Sequence, residues 1–159
     1  MKVADIPTPA LLVDVAALDR NIATMARFFA EGECRLRPHF KAHKTPAIAR
    51  RQLAAGSCTG LTCATVFEAE VASSFCDDIL IANEIIGPDK CARVAALPGT
   101  ITIAVDSEEG LRQIAAAALA ARKAGSRDDR APRSPRTTPC CRESGACRRE
   151  ADLPGRRRG

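Results

Sequence analysis

Short apolar runs alternate with amphipathic stretches along most of the chain. The runs start near Ala10, Arg35, Gly60, Ile79 and Ile101, and helical patterns separate them. This alternation predicts a repeating strand and helix, with five consecutive βα units. The fourth and fifth runs, ILIAN and ITIAVD, are almost continuously apolar, which is typical of parallel strands buried on both faces.

Capping residues mark where several of the helices begin. Thr45 is an N-cap candidate followed by Pro46 at the first helical position, where a missing N–H costs nothing. Thr65 and Glu68 have the spacing of a capping box, in which each side chain bonds the other residue's backbone amide. Ser107 is the N-cap candidate of the fifth helix, with two glutamates in the first turn that favour the helix dipole.

The remaining helices are predicted from periodicity and from their end signals. Gly32 ends the first helix, in which apolar residues recur at Leu18, Ile22, Met25 and Phe29. The fourth helix opens at Gly87-Pro88 and runs to Leu97. In the fifth helix we expect a buried stripe formed by Leu111, Ile114, Ala115 and Ala118.

The predicted fold class is α/β. Parallel strands between helices occur in doubly wound sheets and in (β/α)8 (TIM) barrels. No glycine-rich phosphate fingerprint follows the first run, where the sequence reads VDVAALDRN, so a dinucleotide-binding Rossmann fold loses support. We therefore predict a partial (β/α)8 barrel of about five βα units over residues 1–124, because five units do not close a barrel of eight.

Residues 125–159 have a different composition. They carry 10 arginines against 5 acidic residues and four of the ten prolines, and Leu153 is their only large aliphatic residue. Such a segment cannot bury enough apolar surface to offset its ordering entropy, so we predict a disordered tail. Its Arg, Pro and Cys content is typical of GC-rich coding sequence read in a shifted frame. A frameshift near codon 125 is our hypothesis, and the nucleotide sequence tests it.

Two other interpretations of the tail are weaker. Cys140, Cys141 and Cys147 lack a second CxxC pair and a nearby histidine, so they make a poor zinc signature. The arginines can attract polyanions nonspecifically, as in a basic-tail binding module. Since the tail has no aromatic residues to stack on bases, we expect no specific nucleic-acid partner.

The overall composition favours a soluble cytoplasmic protein. Eight cysteines would fit a disulfide framework in a small secreted protein, but the start of the chain lacks a charged region followed by an apolar one. Cysteines scattered singly through apolar segments fit a reducing compartment better. No apolar run reaches the roughly 18 to 20 residues that a membrane helix needs, so we expect no membrane partner.

The candidate chemistry lies in the segment RPHFKAHKT. It holds Arg37, His39, Lys41, His43 and Lys44, including both histidines of the protein. Functional residues of a barrel project from the carboxyl ends of its strands, and this segment lies at such an end. If it is a strand, alternation places Arg37, His39 and Lys41 on one face, so that they point into the barrel mouth together.

A lysine in this position can form an imine with an aldehyde cofactor if its amine is partly neutral, which nearby cations and desolvation favour. Arg37 and Lys44 are the candidates for those cations. A solvated basic loop and a generic anion site at a helix N-terminus fit the spacing equally well. A zinc site at His39 and His43 fits less well, because their i, i+4 spacing matters only on a helix that has not yet begun there.

The order of motifs resembles a known family. TPALLVD, RPHFKAHKTPAIARRQLAAG, GLTCATVFEAE and DDILIANEIIGP follow one another as in the D-threonine aldolases and D-serine dehydratases. These are fold-type III pyridoxal-phosphate enzymes, which include alanine racemase. The resemblance runs from about residue 8 to about residue 124. It implies that Lys41, the first lysine of the PHxKxHK pattern, holds pyridoxal 5'-phosphate as a Schiff base.

The resemblance also bears on neighbouring residues. Lys44 would be a flanking motif residue without the Schiff-base role. His39, Thr65 and Asn83 would face the cofactor pocket without a defined role, and packing residues with satisfied hydrogen bonds fit these positions as well. No residue is assigned to a metal. Full-length relatives use a divalent metal, which would bind and polarise the substrate hydroxyl, and its ligands are expected beyond the fifth helix.

The activity that the resemblance implies is that of a lyase on small D-amino acids. An aldolase breaks the Cα–Cβ bond, and a dehydratase removes the α-proton and the β-hydroxyl. An amino-acid racemase of the same fold and a noncatalytic pyridoxal-phosphate-binding protein are the alternatives. We expect full-length relatives to be homodimers, and this chain to be a truncated and inactive copy.

Overall fold

The computed structural model describes residues 2–30, 34–125 and 136–139. Its helices are α1 (Val15–Ala30), α2 (Pro46–Ala54), α3 (Val66–Ala72), α4 (Pro88–Ala95) and α5 (Glu108–Gly125). Its strands are β1 (Leu61–Cys63), β2 (Asp78–Glu84), β3 (Thr100–Val105) and β4 (Arg136–Pro139), and short 3-10 turns lie at Val3–Asp5 and Phe40–Ala42.

The strands form one parallel sheet in chain order, β1-β2-β3-β4. The third, fourth and fifth apolar runs correspond to β1, β2 and β3, and a helix follows each of them. This confirms the predicted α/β class with a parallel sheet. The second run adds two isolated parallel bridges at the β1 edge, Leu36 with Cys58 and His39 with Thr62.

The helices and the sheet bury one face of the strands. Leu61, Ile79, Ile81, Ile101 and Ile103 are almost completely buried and belong to one cluster with residues of α3 and α4. The alternate positions form the other face, which we call the inner face; there Leu80 and Thr102 are only half-buried and Ala82 is exposed. The prediction of burial on both faces is therefore wrong for β2 and β3, because the described helices cover one face only. In β1, Thr62 on the inner face is also buried.

The first apolar run does not form the strand that the sequence predicts. Residues 10–14 have no regular structure, and Leu11, Leu12 and Val13 are 102%, 59% and 55% exposed. No described element offers these side chains a surface on which to pack. α1 follows as predicted, but it too contains no buried residue.

The second run is also not a continuous strand. Pro38 has no N–H to donate to a ladder, and only its carbonyl oxygen pairs, with the Thr62 N–H at 2.8 Å. Directly after His39 the chain turns into the 3-10 turn Phe40–Ala42. Lys41 therefore lies on a turn at the end of the extended segment, and not on a strand as predicted.

Most of the predicted helix starts are confirmed. Pro46 and Pro88 occupy the first turns of their helices, and α4 ends at Ala95, two residues before the predicted end. Thr65 Oγ1 accepts a hydrogen bond from the Glu68 N–H at 3.2 Å, and Ser107 Oγ accepts one from the Gly110 N–H at 3.2 Å.

Thr45 caps differently from the prediction. It occupies the N-cap position, but its hydroxyl donates to the His43 carbonyl oxygen at 2.7 Å and does not cap the helix. That hydroxyl instead closes the turn between the second apolar run and α2.

The buried stripe of α5 is rotated from the predicted one. Gly110 and Ile114 are buried, whereas Leu111 is 42% exposed and Ala115 is exposed; Ala118 is half-buried. Two contacts fix this rotation. Gln113 Oε1 accepts a hydrogen bond from the Gly87 N–H at 2.8 Å, and the backbone of Gly110 lies against Ile86.

The four described residues of the tail form β4 beside β3. This differs from the predicted disorder at these four positions, because the free edge of β3 offers backbone groups that an extended segment can pair with. The other predictions for residues 126–159, including those for Cys140, Cys141 and Cys147, lie outside the described residues. None of the described helices is both long and apolar enough to cross a membrane.

Candidate active site

The register of the sheet aligns four side chains across the inner face. His39 pairs with Thr62, Thr62 with Leu80, and Leu80 with Thr102. The carboxyl ends of all these segments lie on the same side of this row, because the segments are parallel. Residues that follow the row along each segment therefore gather at one edge of the sheet.

Lys41 lies at this carboxyl edge, in the 3-10 turn that follows His39. Its side chain is exposed and has no ion-pair partner among the described residues. Phe40 anchors the turn from below, since it is 2% exposed and its ring meets the Phe75 ring at 6.4 Å between centroids. The Lys44 N–H closes the turn by donating to the Phe40 carbonyl oxygen at 2.8 Å.

His39 contacts the backbone of Lys41 directly. Its Nδ1 accepts a hydrogen bond from the Lys41 N–H at 3.3 Å. Desolvation by burial lowers the pKa of His39, and the charge of Lys41 lowers it further, while Glu68 opposes the shift. A neutral imidazole is consistent with its role as hydrogen-bond acceptor in this turn.

Arg37 lies at the opposite end of the inner face, away from the carboxyl edge. Its guanidinium makes a bidentate ion pair with Asp78, the first residue of β2, with both N···O distances at 3.0 Å. A Cβ atom at Gly60 would overlap Arg37 and the Asp78 backbone, so the glycine makes room for this pair. The expectation that Arg37 points into the mouth beside Lys41 is wrong, because a carboxylate at the amino end of the sheet holds it.

Lys44 is also engaged with a carboxylate. Its Nζ lies 4.0 Å from Oε1 of Glu68. Glu68 Oε2 accepts a hydrogen bond from the Ala64 N–H at 2.8 Å. The capping box predicts a bond to the Thr65 N–H, so the carboxylate binds the amide one residue earlier. Both cations that the sequence offered as neighbours of Lys41 are thus paired with acids.

The other candidate residues have structural partners. Asn83 Nδ2 donates to the Ala64 carbonyl oxygen at 3.1 Å, and Thr65 caps α3. His43 Nδ1 accepts from the Thr45 N–H at 3.0 Å, and its Nε2 lies 3.2 Å from Gln52 Oε1. These contacts favour packing and turn-closing roles over cofactor or zinc ligation.

Small residues occupy the carboxyl ends of β1, β2 and β3. Ala64 follows β1, Ala82 lies near the end of β2, and Ala104 lies near the end of β3. None of these positions projects more than a methyl group over the inner face. Side chains this small would not obstruct a flat ring, such as that of pyridoxal phosphate, over the inner face.

A cavity of about 330 Å³ lies between α1 and the segment that flanks Lys41. Apolar side chains of α1 and of the second apolar run line it, including Leu18, Ile22, Met25 and Leu36. His39, Ala42 and His43, which flank Lys41 along the chain, also line it, whereas Lys41 itself does not. We interpret this cavity as loose packing of α1 and not as the active site.

Comparison with known proteins decides the family. The family model of the alanine racemase N-terminal domain matches residues 13–126, which include Lys41 and the elements from α1 to α5. The chain belongs to this family.

Among the relatives of this chain are aldolases, which are lyases. It is 38% identical over 121 residues to a D-threonine aldolase of an Arthrobacter species, covering 74% of this chain and 32% of the relative. It is 36% identical over 122 residues to a 3-hydroxy-D-aspartate aldolase of Paracoccus denitrificans, with the same coverage. The chain therefore spans about a third of the length of these relatives.

A solved structure supports the same assignment of the fold. The crystal structure of D-threonine aldolase from Filomicrobium marinum has a TM-score of 0.71 and 41% sequence identity. The likeness covers 74% of this chain and 32% of that one.

Glu68 is the residue of the site that sequence reasoning missed. The sequence predicts it only as a helix cap, yet it is 8% exposed and contacts both Ala64, directly after β1, and Lys44. The capping-box spacing was the available signal, but the spacing alone does not show that the side chain reaches Lys44.

Proposed function

We propose that this chain is the cofactor-holding part of a pyridoxal-phosphate-dependent lyase acting on D-amino acids, with Lys41 as the residue that binds the cofactor. The observation that carries the proposal is the position of Lys41. Its unpaired side chain lies at the carboxyl edge of the inner face, where catalytic residues of barrel enzymes lie.

Each residue of the edge has a separate task in this proposal. Lys41 Nζ would bind the aldehyde carbon of the cofactor, and His39 fixes the backbone amide of Lys41. Ala64, Ala82 and Ala104 leave room for the ring. When bound, pyridoxal phosphate supplies an electron sink that stabilises negative charge at the α-carbon of an amino acid.

The substrate class follows from the names of the relatives. Threonine and 3-hydroxyaspartate both carry a hydroxyl group on the β-carbon, and an aldolase breaks the Cα–Cβ bond of such an amino acid. Cleavage gives glycine and an aldehyde. We therefore propose a β-hydroxy-D-amino acid as the substrate of the whole protein. The described residues contain no group of three or more metal-ligating side chains, so the proposal assigns none of them to a metal.

Trapping the bound cofactor tests the role of Lys41. The purified chain is incubated with pyridoxal phosphate, reduced with borohydride and digested, and peptide mass spectrometry locates the modified lysine. We expect modification at Lys41, and its loss in K41A. K90A is the matched control, because Lys90 is an exposed lysine on α4 and takes no part in the turn that carries Lys41.

The outcomes separate the alternatives. Equal modification of Lys41, Lys44 and other surface lysines would show that Lys41 is only part of a basic loop. Selective modification of Lys41 supports the cofactor role. An assay of aldehyde release from D-threonine and of keto-acid formation from D-serine then separates an aldolase from a dehydratase, and either of them from a noncatalytic binder.

A further inference from the structure

Glu68 is unusual among the charged residues of the described part of the chain, because it is the one acidic side chain that is buried there. Burying a carboxylate is unfavourable unless hydrogen bonds or an opposite charge compensate it. The partners of Glu68 therefore show what its placement maintains.

These partners belong to three segments. Oε2 accepts the Ala64 N–H at 2.8 Å at the end of β1, and the Glu68 N–H donates to Thr65 at the start of α3. Oε1 lies 4.0 Å from Nζ of Lys44, which closes the turn that contains Lys41. α3 also packs against that turn.

Lys44 is the residue of the turn that most needs support. Its φ is +50°, in the left-handed region, which is unfavourable for a residue with a Cβ atom. In this conformation its N–H reaches the Phe40 carbonyl oxygen at 2.8 Å. An attraction on its side chain toward Glu68 helps to hold the backbone in this conformation.

We propose that Glu68 is a positioning residue for Lys41, because its carboxylate ties the turn that carries Lys41 to the end of β1 and the start of α3. The side chain of Lys41 has no ion-pair partner among the described residues, so the backbone of the turn determines where its amine lies. The inference rests on the proposed function, since it concerns the lysine that would hold the cofactor.

Hydrogen exchange tests the positioning without any cofactor. E68Q removes the charge that attracts Lys44 but keeps an oxygen that can accept the Ala64 N–H. We expect amide exchange in the peptide around residues 39–45 to accelerate about two- to fivefold, the effect of a partly exposed ion pair. E70Q is the matched control: Glu70 lies on the same helix, and its carboxylate pairs with Arg93 and not with the turn, so exchange in the turn should stay unchanged.

A second measurement detects the charge itself. Glu68 raises the pKa of His39 against the effects of burial and of Lys41. An NMR titration of the two histidines should therefore give a lower His39 pKa in E68Q than in the wild type, and no change in E70Q. This shift would show that the Glu68 carboxylate is charged and lies close to His39, while the hydrogen-exchange measurement tests the positioning itself.

Failure of this inference can be told apart from failure of the proposed function, because hydrogen exchange tests the first and modification of Lys41 tests the second. Unchanged exchange around Lys41 in a folded E68Q protein overturns the inference. If E68Q does not fold, K44Q removes the same ion pair from the other side and should give the same acceleration; unchanged exchange in K44Q overturns the inference too. Faster exchange together with a wild-type Lys41 that pyridoxal phosphate does not modify supports the positioning and refutes the cofactor role.

Discussion

The N-terminal segment, residues 2–30, and the sheet unit, residues 60–114, have similar apolar patterns and opposite burial. Ile79, Ile81 and Ile101 of the sheet unit are almost completely buried, whereas none of the described residues of the N-terminal segment is buried. α1 forms as its periodicity predicts, but it lies over a cavity. The apolar periodicity thus predicts that α1 is a helix. Whether the apolar face of α1 is buried depends on a complementary surface from another part of the chain.

The largest expected difference between the two regions is in thiol reactivity. Burial, with smaller contributions from Glu68 and Cys76, raises the pKa of Cys63 to about 12 from an ordinary value of 9.0. Three pKa units correspond to about a thousandfold less thiolate. Cys34, which is exposed four residues after α1, should be alkylated by iodoacetamide at neutral pH while Cys63 stays unmodified, as followed by peptide mass spectrometry. Comparable rates at both cysteines would show that the sheet unit opens as readily as the N-terminal segment.

The next largest effect is expected from truncating apolar side chains. I81A creates a cavity in the central strand and should lower the free energy of unfolding by about 2–5 kcal/mol. L11A removes a side chain that is already in solvent, so a change within about 0.5 kcal/mol is expected. Urea unfolding of the purified variants measures both changes. A large loss in L11A would mean that residues 10–14 pack on a surface in solution.

The smallest effect on stability is expected from removing a surface ion pair of the sheet unit, Glu70 with Arg93, and from protonating its carboxylate. Hydrogen bonding to Arg93 holds the pKa of Glu70 below its ordinary value. Because the folded pKa is the lower one, the pair stabilises the fold above the ordinary carboxyl pKa, and this stabilisation is lost as pH falls through the folded value. E70Q should therefore be slightly less stable than the wild type at neutral pH, and this difference should shrink in acid.

An ion pair between the N-terminal segment and α2 gives the comparison for the Glu70–Arg93 pair. Asp19 on α1 pairs with Arg51 at 2.8 Å, but both side chains are about half exposed, so solvent screens the attraction. D19N should change the free energy of unfolding less than E70Q does at neutral pH. An equal or larger change in D19N would contradict the difference between the two regions.

Local patterns predicted most of the sheet unit. Isoleucine-rich runs between glycine and proline signals gave β2 and β3, and Thr65 and Ser107 capped their helices as expected. The rotation of α5 was not predictable, because a hydrogen bond from the Gly87 N–H to Gln113 fixes it across a gap in sequence. Alternation also failed for the second run, where Pro38 interrupts the ladder.

The sequence predicts the parts of the site that depend on neighbouring residues in the chain. It does not predict the parts that depend on partners far away in sequence. The motif placed Lys41 at the carboxyl end of an extended segment, as the structure has it. The direction of the Arg37 side chain depends on its ion pair with Asp78, 41 residues away, and no local pattern reveals such a pairing. Glu68 belongs to the same class, since its spacing predicted the cap but not the contact with Lys44.

The strand order of the sheet has a consequence for how the chain folds during synthesis. Because β1, β2 and β3 neighbour one another in chain order, each strand meets its partner after about twenty further residues, close to the shortest separation that a helical crossover allows. As the chain leaves the ribosome, β2 and then β3 can add to the existing edge one βα unit at a time. The turn with Lys41 is the exception: if Glu68 positions it as proposed, this turn is fully held only after α3 has been translated and has formed.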